Sequence, residues 1–229
     1  MLRMGLTGGL ASGKTTAAKR LAELGAHVIS ADEVGRALMQ PGERVYAEIV
    51  AKFGPGVVGA DGRLGESLDR AALAKIAFGE GRIEELNAIV HPATIARQEE
   101  MVCEIAAREP EAVVVVESAL VFETKHGTTG QGGEEGWRRR FDRIILVRAR
   151  EEQRVERFVE RISGGKLLVQ EKRQELEAEA RRRMAQQLDE DWKAAHSNYV
   201  LTNDGSVDDL RAQVDALWPE LKDAAKRRA

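Results

Sequence analysis

The chain has one cysteine, Cys103, among 229 residues, so no internal disulfide can form and a reducing compartment is expected. Cys103 reads either as a reactive thiol or as a small apolar filler on a helix beside Met101, Val102 and Ile105, and the filler is the preferred reading. Long apolar runs are missing too. The longest aliphatic stretch, residues 112–116, is too short to cross a bilayer. The opening residues 1–6 hold too few apolar side chains for a secretory segment and run straight into glycines. Nor is there an excess of one charge. A net charge of -3 exerts no general pull toward nucleic acid or anionic membrane. No internal repeat is visible. These absences leave a cytoplasmic protein that binds neither nucleic acid nor membrane, and 43% apolar with 32% charged residues is the balance of a soluble globular chain.

What is present is an alternation of strand and helix patterns. Residues 2–6 read as a short buried strand, and residues 14–24 as a helix with Ala17, Ala18, Leu21 and Leu24 inward and Gly25 as its stop. Residues 27–30, 113–116, 144–147 and 199–201 read as further strands. The all-valine run 113–116 is expected to be covered on both faces. Helices are expected over 151–162, over the very polar stretch from about 169 to 195, and from 207 to about 226. Residues 32–108 read as helices only, over 32–39, 43–53, 69–78, 82–90 and a long one from Pro92, where a missing N–H costs nothing at a first turn. Strands alternating with helices predict an α/β fold with a parallel sheet and helices on both faces, the strandless stretch forming an insertion. Residues 124–136, rich in glycine, threonine and acid, read as a flexible loop.

The segment Gly8-Gly9-Leu10-Ala11-Ser12-Gly13-Lys14-Thr15 has the spacing Gly-x4-Gly-Lys-Thr, after a predicted strand and opening a predicted helix. Its glycines let successive backbone N–H groups turn inward onto phosphate, and the helix adds its positive N-terminal end. Gly8, Gly9, Ala11, Ser12, Gly13, Lys14, Thr15 and Thr16 are therefore the expected ATP-binding residues. Lys14 is to reach the outer phosphates, and the Thr15 hydroxyl is to hold Mg²⁺. A GTPase would carry Asn/Thr-Lys-x-Asp, but Thr202-Asn203-Asp204-Gly205 lacks the lysine. A compact chain with a helical insertion points to a small-metabolite kinase. Asp32, just past the second strand, stands where ligands of open sheets collect, and reads as the base that orients an acceptor hydroxyl or as the N-cap of the next helix.

Several blocks resemble the dephospho-CoA kinase family: the loop from Gly5 to Thr15, Ile29-Ser30-Ala31-Asp32, Leu68-Asp69-Arg70, Asn87-Ala88-Ile89-Val90-His91-Pro92 and Leu120-Val121-Phe122-Glu123. Gln153 with Arg157 and Arg161, Arg183-Met184-Ala185-Gln186-Gln187, Lys193 and Tyr199-Val200-Leu201-Thr202-Asn203 continue the likeness in order along the chain. The resemblance implies ATP-dependent phosphorylation of the ribose 3′-hydroxyl of dephospho-CoA, with Asp32 as catalytic base. It also implies a single P-loop NTPase domain of three layers, α/β/α. Its core would be about 1–31, 110–150 and 196–229, its helical CoA-binding region about 32–109 and its lid about 151–195. The departures are Ser30 for an aspartate, Ala119 for a proline, Asn198 for an acid, and Ala11 for a glycine, the last acceptable if its φ is negative.

Arg154, Arg157 and Arg161 share one predicted helix, the last two on one face. Arg161, with Lys14, is assigned to stabilising charge on the transferred group, and Arg157 to the nucleotide, against the reading of a solvated, salt-bridged face. Arg181-Arg182-Arg183 reads as such a face. Asn203 is expected at the adenine edge, or else as a turn residue, and Arg70, His91 and Arg97 are candidates on the dephospho-CoA side. The remaining readings are a nucleoside monophosphate, shikimate or other small-metabolite kinase, and a nucleotide-binding regulatory module without turnover. A monomer or small homo-oligomer is expected.

Overall fold

In the computed structural model, residues 1–59, 66–123 and 136–229 are described, the side chain of Phe78 aside. Five strands form one sheet: β1 (Leu2–Thr7), β2 (His27–Ser30), β3 (Val113–Glu117), β4 (Arg143–Arg148) and β5 (Tyr199–Thr202), in the order β2-β3-β1-β4-β5. β1 pairs in parallel with both β3 and β4, and β4 with β5. The chain runs from β1 to the edge at β2, returns to β3 beside β1, then crosses to β4 and out to β5, and the carboxyl end of β1 opens at the switch point where such sheets bind ligands. Registers set the neighbours there: Leu6 pairs with Glu117, and Thr7 with Leu146.

Two compact units divide the chain. The first comprises Met1–Val28, Ile105–Glu123 and Trp137–Ala229, and the second Ile29–Glu104 and Thr124–Gly136. The stretch expected as a lid, 151–195, falls within the first unit, with the sheet.

In the first unit, α1 (Lys14–Glu23) and α10 (Val207–Lys226) cover one face of the sheet. Ala17, Ala18 and Leu21 pack with Leu2, Met4 and Leu6, all nearly inaccessible, and with Val214 and Leu221. The 3.6-residue spacing in the helices and the two-residue spacing in β1 are what let both surfaces be apolar at once. Arg20 ties the two helices by pairing with Asp215. Beneath the other face, Phe141 after α6 (Gly136–Arg140) lies 3.1 Å from where a Cβ would stand on Gly5, so the glycine makes room for the ring. Helices α7 (Glu151–Ser163) and α8 (Gln170–Ala185) pair through Val155, Phe158 and Ala180, with Leu176 and Met184 against them. The rest of α8 is polar and held by ion pairs such as Lys172–Glu175 at 2.7 Å and Arg183–Glu179 at 2.7 Å. Arg181, Arg182 and Arg183 are exposed and paired with acids, the solvated face expected. The polar run 169–195 breaks before α9 (Glu190–Ala195), which Asp189 caps by accepting the Trp192 N–H.

The second unit is helical: α2 (Ala31–Leu38), α3 (Arg44–Phe53), α4 (Arg70–Ala74) with a π-turn at Lys75–Gly79, and most of α5 (Ile83–Arg108). Val45, Ile49, Val57 and Leu73 form its core, with Leu86, Ile89 and Val90 packed against it. Val58 and Leu68 form an isolated antiparallel β-bridge in it. Two expectations are corrected here. Pro92 does not start a helix; it lies inside α5, which runs unbroken from 83 to 108. Packing of Leu86, Ile89 and Ala93 and burial of Thr94, Ile95 and Gln98 on both sides of the proline outweigh the lost N–H. Cys103 is no filler: it is exposed on the outer side of that helix. The segment 124–135, expected as a flexible loop, lies outside the described residues. Among the described residues no helix is long and apolar enough to cross a membrane.

Asp142 closes the amino end of the sheet. Its carboxylate accepts the Arg3 N–H at 2.8 Å and pairs with the guanidinium groups of Arg3 at 3.0 Å and Arg228 at 2.7 Å. Burial pushes the carboxyl up, but the Arg3 hydrogen bonds and the two positive charges outweigh it and hold it below the ordinary carboxylate range. A carboxyl depressed in the folded state stabilises above its unfolded value, about 3.9, and loses that contribution as pH falls through its folded value. Asp142→Asn is therefore expected to lower the unfolding free energy at pH 7 by about 1 kcal/mol, discounted for the partly exposed arginines. Urea unfolding repeated at acid pH should show the deficit vanish below the folded value; a deficit constant with pH would refute the ionic origin.

Candidate active site

The loop after β1 closes on itself as the glycine pattern requires. Gly13, at φ 102°, caps α1 without any side-chain hydrogen bond, and its carbonyl accepts the N–H groups of Thr16 and Ala17. No acidic residue stands in the first turn of α1, so the positive helix end meets no carboxylate of its own helix. Lys14 Nζ donates to the carbonyls of Gly8 at 2.8 Å and Gly9 at 3.1 Å, drawing the ammonium across the loop. Ser12 is fully buried, and its hydroxyl has no hydrogen-bond partner. A hydroxyl orphaned inside a cradle of turned backbone fits an anionic ligand with oxygen acceptors.

Gly8 is fixed by a close approach. A Cβ there would lie 2.2 Å from the Val147 carbonyl, a backbone atom of β4 that cannot swing aside. Gly8→Ala is expected to cost about 2–3 kcal/mol of stability and to weaken ADP binding with it. Urea unfolding with calorimetric ADP titration checks this, and unchanged stability with unchanged affinity would contradict it.

Ala11 departs from its expectation. Its φ is +55°, and it is the only non-glycine with positive φ among the described residues. The left-handed conformation costs a residue with a Cβ about 1–2 kcal/mol. The cost is met by packing, since Leu10 and Ala11 lie against Val155, Phe158 and Ala180 of α7 and α8.

Thr15 Oγ1 donates to Glu117 Oε1 at 2.8 Å. The pairing of Leu6 with Glu117 puts this carboxylate at the end of β3, beside the loop. A hydroxyl and a carboxylate oxygen side by side suit the hard, oxygen-seeking Mg²⁺, which binds through few protein ligands and keeps waters. Glu117 was not among the expected site residues. The signal was available, since an acid ends an all-valine strand predicted to lie in the same sheet as the loop.

Asn203 is buried after β5, where its Nδ2 donates to Ser12 O at 2.8 Å and its Oδ1 accepts from Arg157 Nη2 at 3.4 Å. A Cβ on Gly13 would lie 2.2 Å from that Nδ2, which accounts for glycine there apart from its φ. Asn203, expected at the adenine edge, has both ends of its amide engaged within the protein and braces the loop. Arg157 is half-buried in this group, and its Nη1 is buried without a hydrogen-bond partner. Arg161 is exposed, its guanidinium 5.6 Å from the centre of the Phe158 ring, with Arg183 at 5.5 Å.

The remaining expected residues lie in the second unit. Asp32 is exposed in the first turn of α2. The cap of that helix is Ser30, whose Oγ accepts the Glu33 N–H at 3.3 Å, so the capping reading of Asp32 falls away. Arg70 opens α4, which Asp69 caps by accepting two N–H groups. With Arg36, Met39, Leu68 and Leu86 it lines a cavity of about 390 Å³, in which Arg36 and Arg70 are the charged groups. Arg36, one helical turn from Asp32, is not among the residues expected from the sequence. His91 is half-buried in α5. Arg97 pairs within that helix with Glu100 at 2.9 Å and Glu104 at 3.3 Å.

The departures also find partners. Asn198 Oδ1 accepts the Ile144 N–H at 2.8 Å, so an amide does locally what an acid would do. The Ala119 carbonyl accepts from Thr7 Oγ1 at 3.5 Å.

Comparison with known proteins finds relatives along nearly the whole chain. The dephospho-CoA kinase family model matches residues 2–209. The dephospho-CoA kinase of Moorella thermoacetica is 37% identical over 223 residues, covering 97% of this chain and 93% of that protein. That of Symbiobacterium thermophilum is 41% identical over 216 residues, covering 94% and 79%. A crystal structure from Thermus thermophilus, TT1252, superposes with a TM-score of 0.68 at 31% identity, over 96% of this chain and 97% of that one. The dephospho-CoA kinase structure from Campylobacter jejuni shares the fold, with a TM-score of 0.58 at 20% identity over 96% of each chain. This chain belongs to the dephospho-CoA kinase family.

Proposed function

We infer that the chain transfers the γ-phosphoryl group of ATP to the ribose 3′-hydroxyl of dephospho-CoA, giving coenzyme A and ADP in the last step of coenzyme A biosynthesis. The observation that carries this is the phosphate cradle, with Lys14 drawn across it and Thr15 beside Glu117, in a chain matched to the family over residues 2–209.

In this reading the backbone of Gly8, Gly9, Ala11, Ser12, Gly13 and Thr16 receives the phosphates, with Lys14 exchanging two loop carbonyls for phosphate oxygens. Thr15 and Glu117 would hold Mg²⁺, which would supply positive charge to offset that of the phosphates. Arg157, with one nitrogen still unpartnered, serves the nucleotide, and Arg161 leaves the Phe158 ring to meet the transferred group. Asp32 accepts a hydrogen bond from the acceptor hydroxyl and orients it; a loose transition state needs little deprotonation beforehand. Arg36 and Arg70, in an otherwise largely apolar cavity, suit a ligand that joins apolar surface to phosphate, as dephospho-CoA does. His91 and Arg97 are assigned to the dephospho-CoA side as well, with Arg97 giving up its intrahelical acids. The core, substrate region and lid keep the boundaries set out from the sequence, as parts of one kinase domain. A net charge of -3 suits work on small molecules in the cytoplasm, away from nucleic acid and membranes, as a monomer or small homo-oligomer.

A coupled ADP-release assay with Mg-ATP and a panel of acceptors tests the reading. Turnover with dephospho-CoA well above that with nucleoside monophosphates or shikimate is expected. Preference for one of those acceptors would reassign the substrate, and ATP binding without ADP release for any acceptor would make the chain a regulatory module.

A further inference from the structure

Leu10, at the tip of the phosphate loop, is held from both sides of its backbone. Its N–H donates to Gln187 Oε1 at 3.0 Å, and its carbonyl accepts from Arg154 Nε at 2.9 Å. Arg154 is 7% exposed, and its Nη1 is paired with Glu190, at the start of α9. Its Nη2 lies against the backbone of Gly9, where a Cβ would come within 2.2 Å of it. Two of the three guanidinium nitrogens are thus engaged within the protein, and the charge is met by a carboxylate.

Such an arrangement does not suit direct contact with phosphate. It suits control of the loop's shape. The next residue, Ala11, is held at φ +55°, a conformation a free loop would leave. We propose that Arg154, oriented by Glu190, is a positioning residue that holds the tip of the phosphate loop in its phosphate-ready shape. Nucleotide affinity then depends on a clasp formed by α7 and α9, more than 140 residues further along the chain. Gln187 completes the clasp from the segment between α8 and α9. Lysine cannot replace the arginine, since a single ammonium cannot present the fixed fork that reaches Leu10 O and Glu190 together. The inference rests on the reading that this loop binds the phosphates of ATP.

The test uses the full chain with Arg154→Met, Arg154→Lys and Glu190→Gln. ADP affinity is measured by calorimetry, KM for ATP and for dephospho-CoA by steady-state kinetics, and folding by urea unfolding. The expected result is weaker ADP binding and a higher KM for ATP, by about tenfold in Arg154→Met, the effect of one lost charge-assisted hydrogen bond. Arg154→Lys should fall between it and the parent, Glu190→Gln should shift the same way, and the KM for dephospho-CoA should stay unchanged in all three. Should Arg154→Met fail to fold, Glu190→Gln carries the test, because it keeps size and one acceptor. Lower stability with ADP affinity unchanged in the folded variants would overturn the proposal by making the clasp purely structural. A large loss of kcat at unchanged ADP affinity would also overturn it, by placing Arg154 on the transferred group. No ADP binding by the parent would remove the nucleotide reading itself, and the proposal with it.

Discussion

Asp32→Asn is expected to lower kcat by about two to four orders of magnitude while ADP affinity stays within about twofold of the parent. The substitution keeps the shape of the side chain and removes its charge and its ability to accept the acceptor's proton. Little else should change. Ser30 caps α2, so that helix does not depend on the Asp32 carboxylate for its first turn. The side chain is exposed, and the lost interaction with the helix dipole is about 0.3–1 kcal/mol. The contacts of Lys14 with Gly8 and Gly9, of Thr15 with Glu117 and of Asn203 with Ser12 lie within the loop's own unit. Steady-state kinetics with calorimetric ADP titration separates the two effects. A kcat close to that of the parent, in a folded variant, would remove Asp32 from the chemistry.

Lys14→Met should be the other severe lesion, lowering kcat by about 10²–10³ and weakening ATP binding at the same time. Methionine nearly matches the length of lysine but offers no donor. The ammonium at 2.8 and 3.1 Å from the Gly8 and Gly9 carbonyls is the positive charge that the loop itself draws into its cradle. The residues of the main core, from Leu2 on β1 to Leu221 on α10, pack without it, so the variant should fold. Kinetics varied in ATP at saturating dephospho-CoA gives both numbers. A kcat/KM for ATP within tenfold of the parent would mean that the backbone cradle and the helix end suffice.

Much of this was legible in the residues themselves. The strands at 2–7, 27–30, 113–117, 143–148 and 199–202 follow from short apolar runs bounded by polar or turn residues, and the three central ones, β1, β3 and β4, are mostly apolar because both their faces are buried. The phosphate loop was legible because its function requires glycine and lysine at set intervals, and such requirements are written along the chain. The 26-residue α5 was not, because a proline reads locally as a boundary, whereas packing on both sides of it determines whether the helix continues. Cys103 was misplaced for a related reason: apolar neighbours in sequence do not say which side of a helix faces inward.

The sequence by itself determined the parallel α/β architecture, the cradle from Gly8 to Thr16 and the helical character of the described residues in the stretch 32–108. All are consequences of local spacing, glycine permissiveness and hydrophobic period. Only the tertiary structure decided that Glu117 meets Thr15, that Asn203 turns to Ser12, that Arg154 spends its charge on Glu190 and Leu10, and that Ala11 takes a positive φ. The side-chain contacts among these, apart from the pair with Glu190, join residues more than 100 positions apart, through strand register and helix packing. The dihedral at Ala11 is set by what packs upon it. Local pattern carries no record of either.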